Sequence, residues 1–147
     1  DKSFLDWGDR ARPSDVPGFY RLARGKADEA MAIEPRRRRF AGPWAVLVSP
    51  TCSSATFHFA LAVKQSKVAP LVGRATGGNR RGINGGAYFF LRLPATDMEV
   101  DLPLIGYFPA GAEPDAGVEP DVAVPLSRAD IAAGYDRAMA AAKVALI

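Results

Sequence analysis

A short apolar run that empties into a serine-rich turn sets the terms for any fold of this chain. The segment WAVLVS at 44 to 49 is unbroken and valine-containing, and is bounded by Gly42-Pro43 and Pro50. A run of that length between such breakers reads as a fully buried, central β-strand. It feeds the tight segment Pro50-Thr51-Cys52-Ser53-Ser54, and then ATFHFALAVKQ, whose Ala, Phe and Leu residues favour a helix over about residues 54–66. A second apolar run, APLVG at 69 to 73, follows at the distance that a right-handed crossover to a parallel neighbour allows. Strand, turn, helix and parallel strand together predict an α/β fold.

The rest of the chain is read around that nucleus. With 147 residues, 48% hydrophobic and 10% aromatic, it can bury one ordinary core. Residues 6 to 18 mix Gly, Pro, Asp and Ser and read as an irregular cover segment. FYRLARGKADEAMAI at 19 to 33 reads as a short or broken helix stopped by Pro35. GGNRRGINGG after Thr76 reads as a glycine-rich loop, and YFFLRL at 88 to 93 with MEVDLPL at 98 to 104 as a β-hairpin turning through Pro94 to Asp97. Residues 106 to 120 are rich in Gly, Pro and Ala and read as loop. DVAVPL at 121 to 126 reads as a last short strand, after which Ser127 caps a closing helix over 127 to 147.

Several function classes are excluded at this level. The charge of +3, from 19 basic and 16 acidic residues, is too small to imply a polyanionic partner. Arg36 to Arg39 read as a solvated cationic run rather than a nucleic-acid contact. GGNRRGINGG lacks the Gly-Lys-Ser/Thr ending of a phosphate-cradling loop. One histidine, one cysteine and no clustered carboxylates give no metal-ligand set, so neither metal nor other cofactor is expected. No stretch reaches the roughly 20 apolar residues of a membrane-spanning helix. Cys52 has no partner for an internal disulfide and reads as a small buried thiol, which leaves the compartment undecided.

The chemistry-bearing feature is the turn itself. A serine where a buried strand becomes a helix places its hydroxyl beside free helix N–H groups, which can stabilise an oxyanion. Ser53 and Ser54 both stand there, and either could instead simply cap the helix.

The order of several motifs distinguishes between these readings. Ser54-Ala55 opens the helix, Phe59-Ala60 lies within it, and Val72-Gly73, Thr76 and Gly78 follow the second strand. Gly117-Val118-Glu119-Pro120-Asp121 comes later. Over residues 40 to 125 this arrangement resembles the C-terminal-processing, or tail-specific, serine peptidases. The resemblance implies a ClpP/crotonase-like fold of stacked ββα units, of which this chain, residues 1–147, would be the C-terminal part of one catalytic domain. It also implies a peptide or protein substrate, a missing N-terminal half of the same protein, and a periplasmic or secreted setting.

Carried over by position, the resemblance makes Ser54 the nucleophile, the N–H of Ala55 an oxyanion donor, and Gly78 and Asn79 part of the site loop. In one branch of the family a lysine base lies 25 residues after the nucleophile; here that position is Asn79, and an amide cannot accept the proton. Lys64 and Lys67 lie roughly 15 and 20 Å along the helix, out of reach. The chain therefore sits nearer the branch resembling the tricorn core peptidase and the retinoid-binding repeats. There an imidazole base comes from an earlier part of the chain and an acid from just before Gly-Val-x-Pro-Asp, which makes Glu113 the acid and Asp115 the alternative. The single histidine, His58, is one helical turn after Ser54 and so a neighbour of it, although Phe57 and Phe59 on either side favour a packed role.

The family also carries an Asp-x-Arg-x-Asn-x-Gly-Gly run upstream of the nucleophile strand, which supplies a second oxyanion donor. Residues 1 to 43 hold no counterpart. An isolated piece of this kind would be a poor catalyst. Two other classes stay open: a crotonase-like acyl-CoA enzyme, and a catalytically dead peptidase-like binding module.

Overall fold

The computed structural model describes residues 8–23 and 37–146. The chain divides into two units, Asp1–Ala41 and Gly42–Ile147.

In the first unit a short 3₁₀ turn, Gly8–Arg10, leads into β1 (Ala11–Pro13), which pairs antiparallel with β2 (Tyr20–Leu22). The connecting turn is tied by Ser14 N–H to Phe19 C=O at 3.0 Å and Phe19 N–H to Val16 C=O at 3.1 Å. The sequence reading therefore needs correction here: residues 11–13 are strand rather than irregular cover, and residues 20–22 are strand rather than the start of a helix. Once the turn at 14–19 folds the chain back on itself, ladder hydrogen bonds satisfy backbone groups that three isolated helical residues would leave unpaired. The remainder of the expected helix, 24 to 33, lies outside the described residues.

The second unit is built on a three-stranded parallel sheet in the order β3 (Val46–Val48), β4 (Leu71–Gly73), β7 (Val122–Ala123). Helix α1 (Ala55–Ser66) connects β3 to β4. Successive residues of a strand face opposite sides, and the core divides accordingly. Leu71 packs with Val48, Phe57, Ala60, Val63, Ala69 and Val118 on one face, and Val72 packs with Val124 and Ala142 on the other. The buried stripe of α1 is Phe57, Ala60 and Val63, while Phe59 on its far side is exposed, so this helix packs through one side. It ends on Lys67, in the left-handed conformation at φ 53°, whose N–H bonds Val63 C=O at 2.9 Å.

The expected central strand turns out to be the neighbour of the central one. Leu47 is exposed and β3 lies at the sheet's edge, whereas β4 is flanked on both sides and its Leu71 and Val72 are wholly buried. Full burial of each is worth about 1.5–3 kcal/mol.

Two long-range ties hold β4 and the loop after it. Asp121 accepts from Leu71 N–H at 2.8 Å and pairs with Lys64, while its own N–H bonds Leu71 C=O at 2.8 Å. The buried Thr76 donates its N–H to Val118 C=O at 3.1 Å, and its Oγ1 accepts from Val118 N–H at 2.9 Å. Gly117 is required there, since a Cβ would lie 2.0 Å from Thr76 C=O.

The closing helix is two helices, α2 (Arg128–Ala132) and α3 (Arg137–Ala145). Ser127 caps α2 as expected, accepting from Ala129 and Asp130 N–H. Gly134 at φ 63° then breaks the helix, and Asp136 caps the second one. The corner is clasped by Arg137 on the largely buried Asp130, at 2.6 and 2.8 Å. The last strand is likewise shorter than expected, Val122–Ala123 only.

The hairpin extends further than expected at the end away from its turn, while at the turn each strand stops one residue short. Strands β5 (Ile83–Arg92) and β6 (Glu99–Tyr107) pair antiparallel, so the second half of the glycine-rich segment is strand. A register shift between Gly85 and Tyr88 marks a bulge, with Gly86 at φ 81°. Beyond it, Tyr88, Phe90 and Leu91 on β5 and Val100, Leu102 and Leu104 on β6 remain exposed.

Candidate active site

Local folding at the strand end decides where Ser54 points. After Val48 the chain turns through Ser49 to Ser54, held by Cys52 N–H to Ser49 C=O at 2.9 Å and by a 2.7 Å bond between the hydroxyls of Ser49 and Thr51. Ser53 C=O takes the Thr56 hydroxyl at 2.7 Å and begins the helix. Ser54 stands at φ 53°, ψ −123°, a conformation L residues seldom adopt. Its C=O accepts from His58 N–H at 3.1 Å, but its hydroxyl makes no capping bond. The capping alternative is thereby removed for Ser54. A strained serine between strand and helix is the geometry that exposes a nucleophilic Oγ.

Ser54 lines an open cleft of about 470 Å³ together with Ala55 and His58 of α1, Ile83 to Gly86 of β5, and Tyr107 of β6. The N–H of Ala55 has no partner among the described residues, as expected for the first helical position. His58 is exposed at the rim, its ring edge-on to Phe57 at 5.4 Å and to Tyr107 at 5.7 Å between centroids. It makes no side-chain hydrogen bond among the described residues.

The remaining sequence-derived candidates lie beside this cleft rather than in it. Gly78, at φ 77°, backs onto the Phe57 ring, which would stand 2.9 Å from any Cβ there. Asn79 Oδ1 accepts from Arg81 N–H at 2.8 Å and its Nδ2 donates to Asp115. That amide, and then the charge of Arg81, hold the Asp115 carboxyl below the usual carboxylate range. Glu113 pairs with Arg80 at 2.5 Å, and Arg80 N–H bonds Ala116 C=O at 2.9 Å. Residues 79–81 and 113–116 thus form one polar clamp that fixes the loop leading into β5.

Sequence reasoning missed Ile83 to Gly86 and Tyr107. Glycines there suggested loop, and only the asparagine within the run hinted at more. Cys52 is half-buried rather than buried. Among the described residues, no group of His, Cys, Asp and Glu could hold a metal ion, and no helix is long and apolar enough to cross a membrane.

A parallel sheet with helices packed on both faces thus carries a strained serine, at a strand-to-helix turn, into the lining of an open cleft. The profile of peptidase family S41 matches residues 10–124, and the chain belongs to that family, which is one of serine peptidases acting on proteins or peptides. Among curated proteins none matches the chain.

Proposed function

We propose that this chain carries the nucleophile half of a serine-peptidase site and that Ser54 attacks the scissile peptide bond. The observation that carries the reading is the strained Ser54 backbone in the lining of the cleft, with a hydroxyl that makes no capping bond. Ser54 Oγ bonds the carbonyl carbon as its proton passes to a base, and the carbonyl oxygen becomes an oxyanion held by Ala55 N–H. Collapse breaks the C–N bond, the amine leaves with the proton, and water resolves the acyl-enzyme.

With Asn79 engaged in the loop clamp, the base is an imidazole rather than a lysine, as in the tricorn-like branch of the family. Glu113 is the acid that holds its tautomer, and Gly78 and Asn79 support the site loop. The β3–α1–β4 unit is one layer of a ClpP/crotonase-like stack.

In the full-length protein, Ser54→Ala is expected to lower kcat by several orders of magnitude, up to about 10⁶-fold. Labelling by a serine-directed phosphonate should vanish with it. Comparable activity in Ser54→Ala would overturn the assignment. Glu113→Gln should cost roughly 10²- to 10⁴-fold with folding intact; a silent Glu113→Gln beside a damaging Asp115→Asn would move the role to Asp115.

A further inference from the structure

An oxyanion needs more than one donor to be well held, and Ala55 N–H is one. The cleft itself offers a neutral donor that the peptidase reading leaves unused. Asn84 shares the cleft lining with Ser54 and Ala55, is exposed, and its carboxamide makes no hydrogen bond among the described residues.

The hairpin is shaped around this side chain. Asn84 pairs with Gly106 on β6, and a Cβ on Gly106 would stand 3.3 Å from Asn84 Oδ1 and 2.5 Å from the Phe108 ring. The absent side chain is what gives the carboxamide its place. Two residues on, the bulge with Gly86 at φ 81° bends β5, and bulges of this kind re-aim neighbouring groups at functional clefts. A Cβ at Gly86 would come within 3.1 Å of the Tyr107 hydroxyl, so the strand is also glycine where it closes on that wall. Asparagine suits the task because its NH₂ donates at every pH and brings no charge.

Resting on the assignment of Ser54 as nucleophile, we propose that the Asn84 carboxamide is a side-chain donor to the substrate oxyanion, beside Ala55 N–H. As the Oγ–C bond forms, the carbonyl π pair moves onto oxygen, and that oxygen accepts from Asn84 Nδ2 and Ala55 N–H. When the C–N bond breaks, the pair returns to the carbonyl and both contacts relax. A donor placed for the tetrahedral state acts on kcat rather than on substrate binding.

The test is Asn84→Ala and the isosteric Asn84→Asp in the full-length protein, assayed for kcat, KM and affinity for a peptide aldehyde. The aldehyde adds the Ser54 hydroxyl across its C=O to give a hemiacetal, and needs no leaving group. Removing a side-chain donor of this type costs about 10²- to 10³-fold in kcat. We expect that loss in both variants, with KM within about threefold and aldehyde affinity falling in step with kcat/KM. A raised KM at unchanged kcat would make Asn84 a substrate-binding residue and overturn the proposal, as would wild-type kinetics. Unchanged aldehyde affinity at reduced kcat overturns it as well. Wild-type aldehyde binding that survives Ser54→Ala would instead refute the nucleophile itself. Asn84→Asp, which keeps side-chain shape, gives the answer should Asn84→Ala misfold.

Discussion

The β3–β4–β7 sheet and the β5–β6 hairpin belong to one unit but are stabilised differently. In the sheet, Leu71 and Val72 are wholly buried, and two polar ties fasten β4 and the loop after it: Asp121 on Leu71, Thr76 on Val118. The hairpin has longer strands, yet Phe90 and Leu102 along it are 57% and 41% exposed. Strand length is therefore no guide to stability here; burial and tertiary ties are. The difference also bears on function. Ser54 comes from the end of the more buried element, and Asn84 and Tyr107 from the more exposed one, so the cleft is assembled from elements of unequal burial.

The contrast is most sharply tested by identical truncations. Leu71→Ala should cost about 2–5 kcal/mol, the range for buried leucines, whereas Leu102→Ala should stay near 0.5 kcal/mol, the range for surface positions. Urea unfolding of both variants measures this. Equal costs would mean that the hairpin is covered in solution and that the contrast is false.

Thr76→Val comes next. It keeps the shape but leaves the buried Val118 N–H without its Oγ1 acceptor, for an expected loss of about 1–3 kcal/mol. A loss near zero would show that the tie is replaceable.

The smallest effect concerns Asp121, whose carboxyl lies below the usual range because Leu71 N–H, and then Lys64, favour its charged form. Its folded pKa is thus lower than its unfolded one, ordinarily about 3.9. The contribution is complete above that value and fades as pH falls through the folded pKa. Thermal scans of Asp121→Asn should show a deficit at pH 7 that closes below about pH 4. A deficit constant with pH would assign the effect to packing rather than charge.

Sequence periodicity was most informative where one period dominates. Val46 to Val48, α1 and Leu71 to Gly73 follow directly from apolar runs between breakers, and Ser127 from its capping chemistry. Thr76 and Gly117 to Asp121, on which the family resemblance rests, serve in the fold to fasten β4 and the loop after it. Spacing alone could not say so, because contact across 42 residues leaves no local trace. The glycines at 85 and 86 concealed the start of β5: glycine signals a loop statistically, whereas here it makes room for a bulge and for Tyr107. Gly134 and Asp136 did hold the signal for a broken closing helix, a helix stop followed by a fresh cap, beneath an alanine-rich run of high helix propensity. The clamp of residues 79–81 on 113–116 pairs charges that the sequence presents as two unrelated loops.

The backbone at Ser54 sets durability against turnover. Holding a residue with a side chain at φ 53° costs on the order of 1–3 kcal/mol, and glycine would be spared most of it. With Ser54 as the proposed nucleophile, Ser54→Gly should therefore yield a protein that resists heat better and has lost its hydrolytic activity. A lineage that loses its nucleophile this way gains folding stability at the same step, so inactive descendants would persist as sturdy proteins, and robust expression of a homologue would be no argument that it is still an enzyme.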